Sequence, residues 1–142
     1  MFHNKILMIT ITVWALAQTI KVILGVINEK RFNFRWFVGT GGMPSSHAAG
    51  AAALATTCGI QEGFYSSIFA VAAVFAIVTM FDAQGVRRAT GQQAVLLNQI
   101  MDNMYEGHLE ADRLKELIGH TPLQVLVGCL LGISMGYFLY YQ

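Results

Sequence analysis

Three runs of apolar residues constrain this chain more than any other feature. They are Ile6–Ile27, Phe64–Phe81 and Pro122–Tyr140. At about 1.5 Å per helical residue, each approaches the ~30 Å hydrocarbon thickness of a bilayer. Hydrocarbon offers no partner to a backbone N–H or C=O, so such runs resolve as helices that satisfy their own backbone. The chain has 142 residues, 55% of them hydrophobic and only 12% charged. That charge fraction is about half of what soluble domains carry. The net charge of +1, with no basic patch interleaved with aromatics, gives no reason to expect a nucleic-acid partner.

A fourth apolar segment, Ser45–Gly59, is made largely of alanine. At about 1.5 Å per residue it is shorter than the bilayer core, so it is expected to sit sunk in the membrane. Gln61-Glu62-Gly63 reads as a tight turn after it. The first run begins like a signal peptide, but Gln18 and Lys21 interrupt the place where a cleavage site would be wanted, so it is read as a retained helix. The expected architecture is an all-α integral membrane protein of one domain, 1–142. It has about four membrane-embedded helices, near 6–27, 45–59, 64–81 and 122–140.

Asp82–Gly119 is the polar region. Ala94, Leu97, Ile100, Met101 and Met104 recur in it at helical spacing, which predicts an amphipathic helix packed on the bundle or lying at the interface. Leu109–Ile118 is a second short amphipathic piece, and the two together make a cytoplasmic excursion over about 91–118. Gly119 closes it, and Thr121-Pro122 reads as the cap and first position of the last helix. Cys58 and Cys129 fall in apolar segments and read as two small buried residues.

Of the nine Lys and Arg residues, all but Lys5 and Lys21 lie in the 28–43 connection or the 82–120 region. With four crossings these two regions share a side, and the positive-inside tendency makes that side cytoplasmic. His47, Arg87, Arg88 and His120 then all stand at cytoplasmic helix ends. Gly128, Gly132 and Gly136 form a stripe on the last helix. It favours close approach of another helix, with the Ala-rich helix as natural partner inside the bundle and a homodimer contact as the alternative.

Between the first and second apolar segments stands Gly41-Gly42-Met43-Pro44-Ser45-Ser46-His47. Glycines suit a tight turn, and a helix that opens at the serines presents its first N–H groups to an anion. His47 would occupy the first helical turn, where it can exchange a proton with what binds. Phosphoryl transfer needs a nucleophile, positive charge and N–H donors at the equatorial oxygens, and a proton for the leaving oxygen. His120 and His47 titrate near neutral pH. Lys21, Arg87 and Arg88 are cations, and the start of the second helix offers donors.

Pro44-Ser45-Ser46-His47 resembles the Pro-Ser-Gly-His motif of the type-2 phosphatidic acid phosphatase superfamily, which also includes the vanadium-dependent haloperoxidases. His120-Thr121-Pro122-Leu123-Gln124-Val125, with Gly128 and Gly132 beyond, resembles the end of that superfamily's third motif. Arg87–Gly91 resembles the motif's start, and Lys21 the lysine of the first motif. The whole chain is similar to the small, divergent membrane branch of this superfamily. The resemblance implies a phosphatase that uses no metal and no cofactor. His120 would attack phosphorus to form a phosphohistidine, and His47 would protonate the leaving alkoxide and then activate water. Lys21, Ser45, Ser46, Arg87 and Arg88 would hold the phosphate oxygens. The implied substrates are membrane lipid phosphates, including prenyl diphosphates. The implied location is a bacterial cytoplasmic membrane, with the site facing the cytoplasm.

The chain departs from the family pattern at definite places. His120 follows Arg87 by 33 residues, where the family keeps its Arg and His within one short run. Val86 stands in place of a serine, and Asn28 in place of an arginine. Gln124 replaces the aspartate that orients and charges the nucleophilic histidine. A glutamine accepts the imidazole N–H bond but contributes no charge, and Asp82 or Glu116 is the candidate substitute. The alternative function these departures favour is a non-catalytic phospholipid-headgroup binder or membrane scaffold.

Overall fold

The computed structural model describes residues 4–30, 42–104 and 119–142, without the side chains of Asn28, Glu29, Arg87, Arg88, Asn103 and Met104. The described residues form five helices: α1 Lys5–Glu29, α2 Ser46–Glu62, α3 Ser67–Gln84, α4 Val86–Met104 and α5 Pro122–Tyr140. The first, third and fifth are long and apolar enough to cross a membrane. The Ala-rich helix is not among them, because its 17 residues reach only about 25 Å. It is instead the central helix, packed against α1, α3 and α5. The chain is thus an all-α membrane protein built around a short buried helix.

Its composition is inverted relative to a soluble bundle. Small residues fill the interior: Ala48, Ala49, Ala52 and Ala53 of α2 and Ala72, Ala76 and Ala83 of α3 are buried. Large side chains, among them Val71, Phe75, Val78, Leu126 and Leu130, point outward. Lipid is as apolar as leucine, so helices associate by close backbone approach rather than by hiding leucines. The glycine stripe serves that approach. A Cβ on Gly128 would strike the Ser45 carbonyl oxygen, and one on Gly132 the Ala49 carbonyl oxygen. A Cβ on Gly136 would come within 3.2 Å of Ala53 Cα. The stripe is therefore occupied by α2, and a homodimer contact through it would have to displace α2.

Helix ends fall where local chemistry places them. Asn4, Ser45, Ser66 and Thr121 cap α1, α2, α3 and α5 by accepting a first-turn N–H. Hydroxyls on the apolar helices turn inward to the preceding turn, as in Thr12 to Met8 O, Thr57 to Ala53 O and Ser134 to Leu130 O, each 2.8 Å. The Lys5 ammonium donates to the Tyr140 carbonyl at 2.6 Å, which sets α1 antiparallel to α5.

Two expectations change in the polar region. Its helix begins at Val86 rather than near 91, because only Gly85 separates it from α3, and the Gly85 N–H closes the end of α3 on Phe81 O at 2.8 Å. Among the described side chains of α4 the buried positions are Gly91, Ala94 and Asn98, whereas Leu97 and Ile100 are exposed. Among the described side chains of the predicted apolar face, Ala94 is thus the buried member. The predicted segment 109–118, with Glu116, lies outside the described residues. Cys58 and Cys129 are both free thiols.

Candidate active site at one end of the bundle

The C-terminal part of α1, the start of α2, the end of α3 and the start of α5 meet at one end of the bundle. Backbone bonds tie three of them. The Ser45 N–H donates to Gln124 O at 3.1 Å, and the His120 N–H to Ala83 O at 3.0 Å. Ser45 and His120 belong to segments just before helices, where orphan N–H groups need partners. Each has found one on a neighbouring element.

This stitching brings the two predicted histidines together. The rings of His47 and His120 lie edge to face with centroids 6.0 Å apart. His47 is the second residue of α2, and His120 immediately precedes the Thr121 cap of α5. The His120 side chain is 1% exposed. Its Nδ1 is 3.3 Å from Gln124 Oε1. That oxygen also accepts the Thr121 N–H at 3.1 Å, while Thr121 Oγ1 accepts the Gln124 N–H at 3.3 Å. Thr121 and Gln124 therefore form a reciprocal capping box, and His120 shares its glutamine.

Burial holds the His120 imidazole below its ordinary value of 6.5, because desolvation disfavours the charged ring. Positive charge at His47 and Lys21 acts in the same direction. Hydrogen bonds to Gln124 and to the Gly42 backbone oppose it.

Lys21 does not snorkel outward. It is 7% exposed, and its stem lies on Gly42, where an added Cβ would come within 3.0 Å of Lys21 Cγ. Gly42 has φ of +87°, a backbone state that L side chains rarely adopt, so glycine is required twice over. The next peptide, Met43-Pro44, is cis. Ser45 has no exposed surface. Its hydroxyl accepts the Ala48 N–H at 3.3 Å and its N–H goes to α5, so both groups are engaged in holding α2. Ser46 is buried in the first turn of α2, the turn whose backbone N–H groups an α-helix leaves without an i−4 carbonyl. Asp82 is half-buried beside Ala83. Arg87 and Arg88 are the second and third residues of α4; their predicted phosphate contacts fall on side chains outside the described set.

Gln18 was missed. It is buried one turn before Lys21 on the same helical face, and the three-residue spacing of two polar side chains on an apolar helix was the available signal. Ala83 was missed too, since a carbonyl acceptor leaves no trace in the sequence.

Behind the histidines an apolar hollow of about 720 Å³ runs between α2, α3 and α5. Ala52, Met80 and Cys129 line its near end, and Gly63, Phe64 and Tyr141 its far end.

The fold is that of an all-α membrane protein with two histidines paired at one end of the bundle. The chain belongs to the Divergent PAP2 family, whose model matches residues 2–135. It is 41% identical over 137 residues to the uncharacterized membrane protein YuiD of Bacillus subtilis (strain 168), covering 88% of this chain and 87% of that protein. No solved structure matches it.

Proposed function

We propose that this protein is a lipid phosphate phosphatase working through a phosphohistidine on His120. The observation that carries the reading is the 6.0 Å edge-to-face pair of His47 and His120. Two imidazoles so placed reach one phosphoryl group from two sides, each within about 3 Å of a reacting atom. In the first step the lone pair of His120 forms the N–P bond as the P–O bond to the lipid breaks. His47, protonated, gives its proton to the departing alkoxide. In the second step His47 takes a proton from water as the water oxygen attacks phosphorus. The N–P bond breaks, its electron pair returns to His120, and inorganic phosphate leaves. Lys21 and the first-turn N–H groups of α2 balance charge on the equatorial oxygens, with Arg87 assigned to them from its motif position.

Lipid is favoured over a soluble phosphate by the apolar hollow, whose near-end residue Ala52 lies about a turn and a half after His47 on α2. The basic loops favour a cytoplasmic site.

The test is phosphate release by detergent-purified protein from a panel of prenyl and diacylglycerol mono- and diphosphates. Turnover, labelled phosphohistidine on His120 and its loss in His120→Ala support the reading. Undiminished activity in His120→Ala removes the assigned nucleophile. Saturable binding with no turnover replaces the enzyme by a headgroup-binding protein.

A further inference from the structure

We propose a second binding site, at the end of the bundle opposite the histidines, for one phospholipid whose headgroup carries both a phosphate and a primary ammonium, as phosphatidylethanolamine does. The site does not depend on the phosphatase reading above.

Two hollows that join make the site. One, of about 710 Å³, lies between the start of α1 and the end of α2, and Asn4, Lys5, Gln61 and Glu62 give it a polar rim. The other, of about 500 Å³, lies between α2 and α3, where Val71, Ala72 and Phe75 line it. Leu54, Cys58 and Ile68 line both, so the polar hollow opens into the apolar one. From Ile68 to Phe75 the second hollow follows α3 for about 10 Å toward the middle of that helix. A polar mouth over an apolar trough matches a headgroup with one of its chains. The depth agrees. Phe64, Tyr65, Tyr137 and Tyr141 are exposed at this end of the bundle, and tyrosine gathers at the level of the headgroups.

Charge selects the lipid. Among the described residues the polar hollow carries one cation, Lys5, and one anion, Glu62. Each is held by a neutral neighbour. The Lys5 ammonium donates to the Tyr140 carbonyl at 2.6 Å and stands 4.7 Å from the centre of the Tyr140 ring. Glu62 Oε1 accepts from Gln61 Nε2 at 3.1 Å. An ammonium has three N–H donors and a carboxylate two acceptor oxygens, so both keep capacity for a ligand after these bonds. A purely anionic headgroup suits Lys5 but is repelled by Glu62. A choline headgroup brings Glu62 a charge without an N–H. Phosphoethanolamine brings a phosphate to Lys5 and an N–H-bearing cation to Glu62, so both contacts are charge-assisted hydrogen bonds.

The experiment is native mass spectrometry of full-length protein in detergent, offered phosphatidylethanolamine, phosphatidylcholine and phosphatidylglycerol with identical chains at equal concentration. Wild type is expected to retain one phosphatidylethanolamine, favoured roughly 5- to 10-fold, between the worth of an exposed ion pair and that of a charge-assisted hydrogen bond. Glu62→Gln is expected to erase the preference over phosphatidylglycerol, and Glu62→Lys to reverse it. Phosphatidylethanolamine with a photoreactive group in its chain is expected to label α3 between Ile68 and Phe75. Equal retention of the three lipids by wild type, as lipid merely surrounding the bundle would give, overturns the proposal. So does a preference that survives Glu62→Gln, or a label spread over the other helices. Glu62 is the exposed last residue of α2, where substitutions are usually mild. If Glu62→Lys nonetheless fails to fold, the wild-type preference, the Glu62→Gln result and the chain label decide.

Discussion

His47 lies in the helix that begins at Ser46 and His120 just before the one that begins at Pro122, yet their rings meet edge to face at 6.0 Å. The contact exists because the starts of α2 and α5 are joined main chain to main chain, Ser45 N–H to Gln124 O at 3.1 Å. The glycines of α5 then let the two helices run in close contact below that point.

The pair predicts unequal effects of substitution. His47→Ala is expected to lower kcat for an alkyl phosphate about 10²- to 10⁴-fold, the usual worth of a positioned general acid–base group. The phosphohistidine on His120 should still form with an aryl phosphate, whose leaving group departs without a proton, and should then accumulate because water is not activated. Rapid-quench trapping of labelled enzyme checks this. Equal losses on both substrates, without accumulation, contradict the role given to His47.

Lys21 and Gly42 are predicted to act together. A charge-assisted hydrogen bond is worth about 1.5–3 kcal/mol, so Lys21→Met should weaken phosphate binding roughly 10- to 150-fold with a smaller change in kcat. Gly42→Ala strains a backbone at φ +87° and pushes on the Lys21 stem, so it should reproduce part of that loss. Isothermal titration with inorganic phosphate, run on both variants, measures it. A Gly42→Ala protein that binds as wild type would separate the two residues.

Much of this arrangement was legible in the sequence, for identifiable reasons. Apolar runs are long-range patterns that survive any tertiary context, so α1, α3 and α5 fell close to their expected bounds. Thr121-Pro122 announced the start of α5 because cap chemistry is local. The meeting of His47 and His120 followed from parity, since alternate helix ends share a membrane face. Other features are tertiary. Whether Lys21 snorkels or folds inward depends on Gly42 lying against it. The central place of the Ala-rich helix depends on three neighbours. The contact of Gln124 with His120 was legible from its place four residues on, whereas the sharing of its oxygen with the Thr121 N–H is set by the cap geometry.

The glycine stripe predicts a graded series. Alanine at Gly132 or Gly128 meets a backbone oxygen that has no room to yield, whereas at Gly136 the nearest atom is 3.2 Å away. Overpacking a well-filled contact costs about 1–3 kcal/mol. Gly132→Ala and Gly128→Ala should fall in that range and Gly136→Ala below it. Thermal unfolding in one detergent, across the three variants, gives the order. A larger loss at Gly136 would mean that α2 and α5 are not packed as described.

The buried His120 predicts how stability responds to acid. Its folded pKa lies below the ordinary 6.5, chiefly through burial. Above about 6.5 the ring is neutral in both folded and unfolded chains, and its contribution is fully present. As pH falls through 6.5 the unfolded chain binds a proton that the folded one resists. Stability is then lost, at up to about 1.4 kcal/mol per pH unit, until the folded ring also titrates. His120→Gln removes this titration and should flatten the acid slope, even though it lowers stability at neutral pH. The measurement is the apparent Tm of both proteins in detergent between about pH 7.5 and pH 5. The gap between them should narrow as pH falls. A gap that stays constant would mean that His120 gains its proton as readily in the fold as in the unfolded chain. Under the proposed mechanism the neutral ring attacks phosphorus, so the same low pKa should put the acid limb of the pH–activity profile below 6.5.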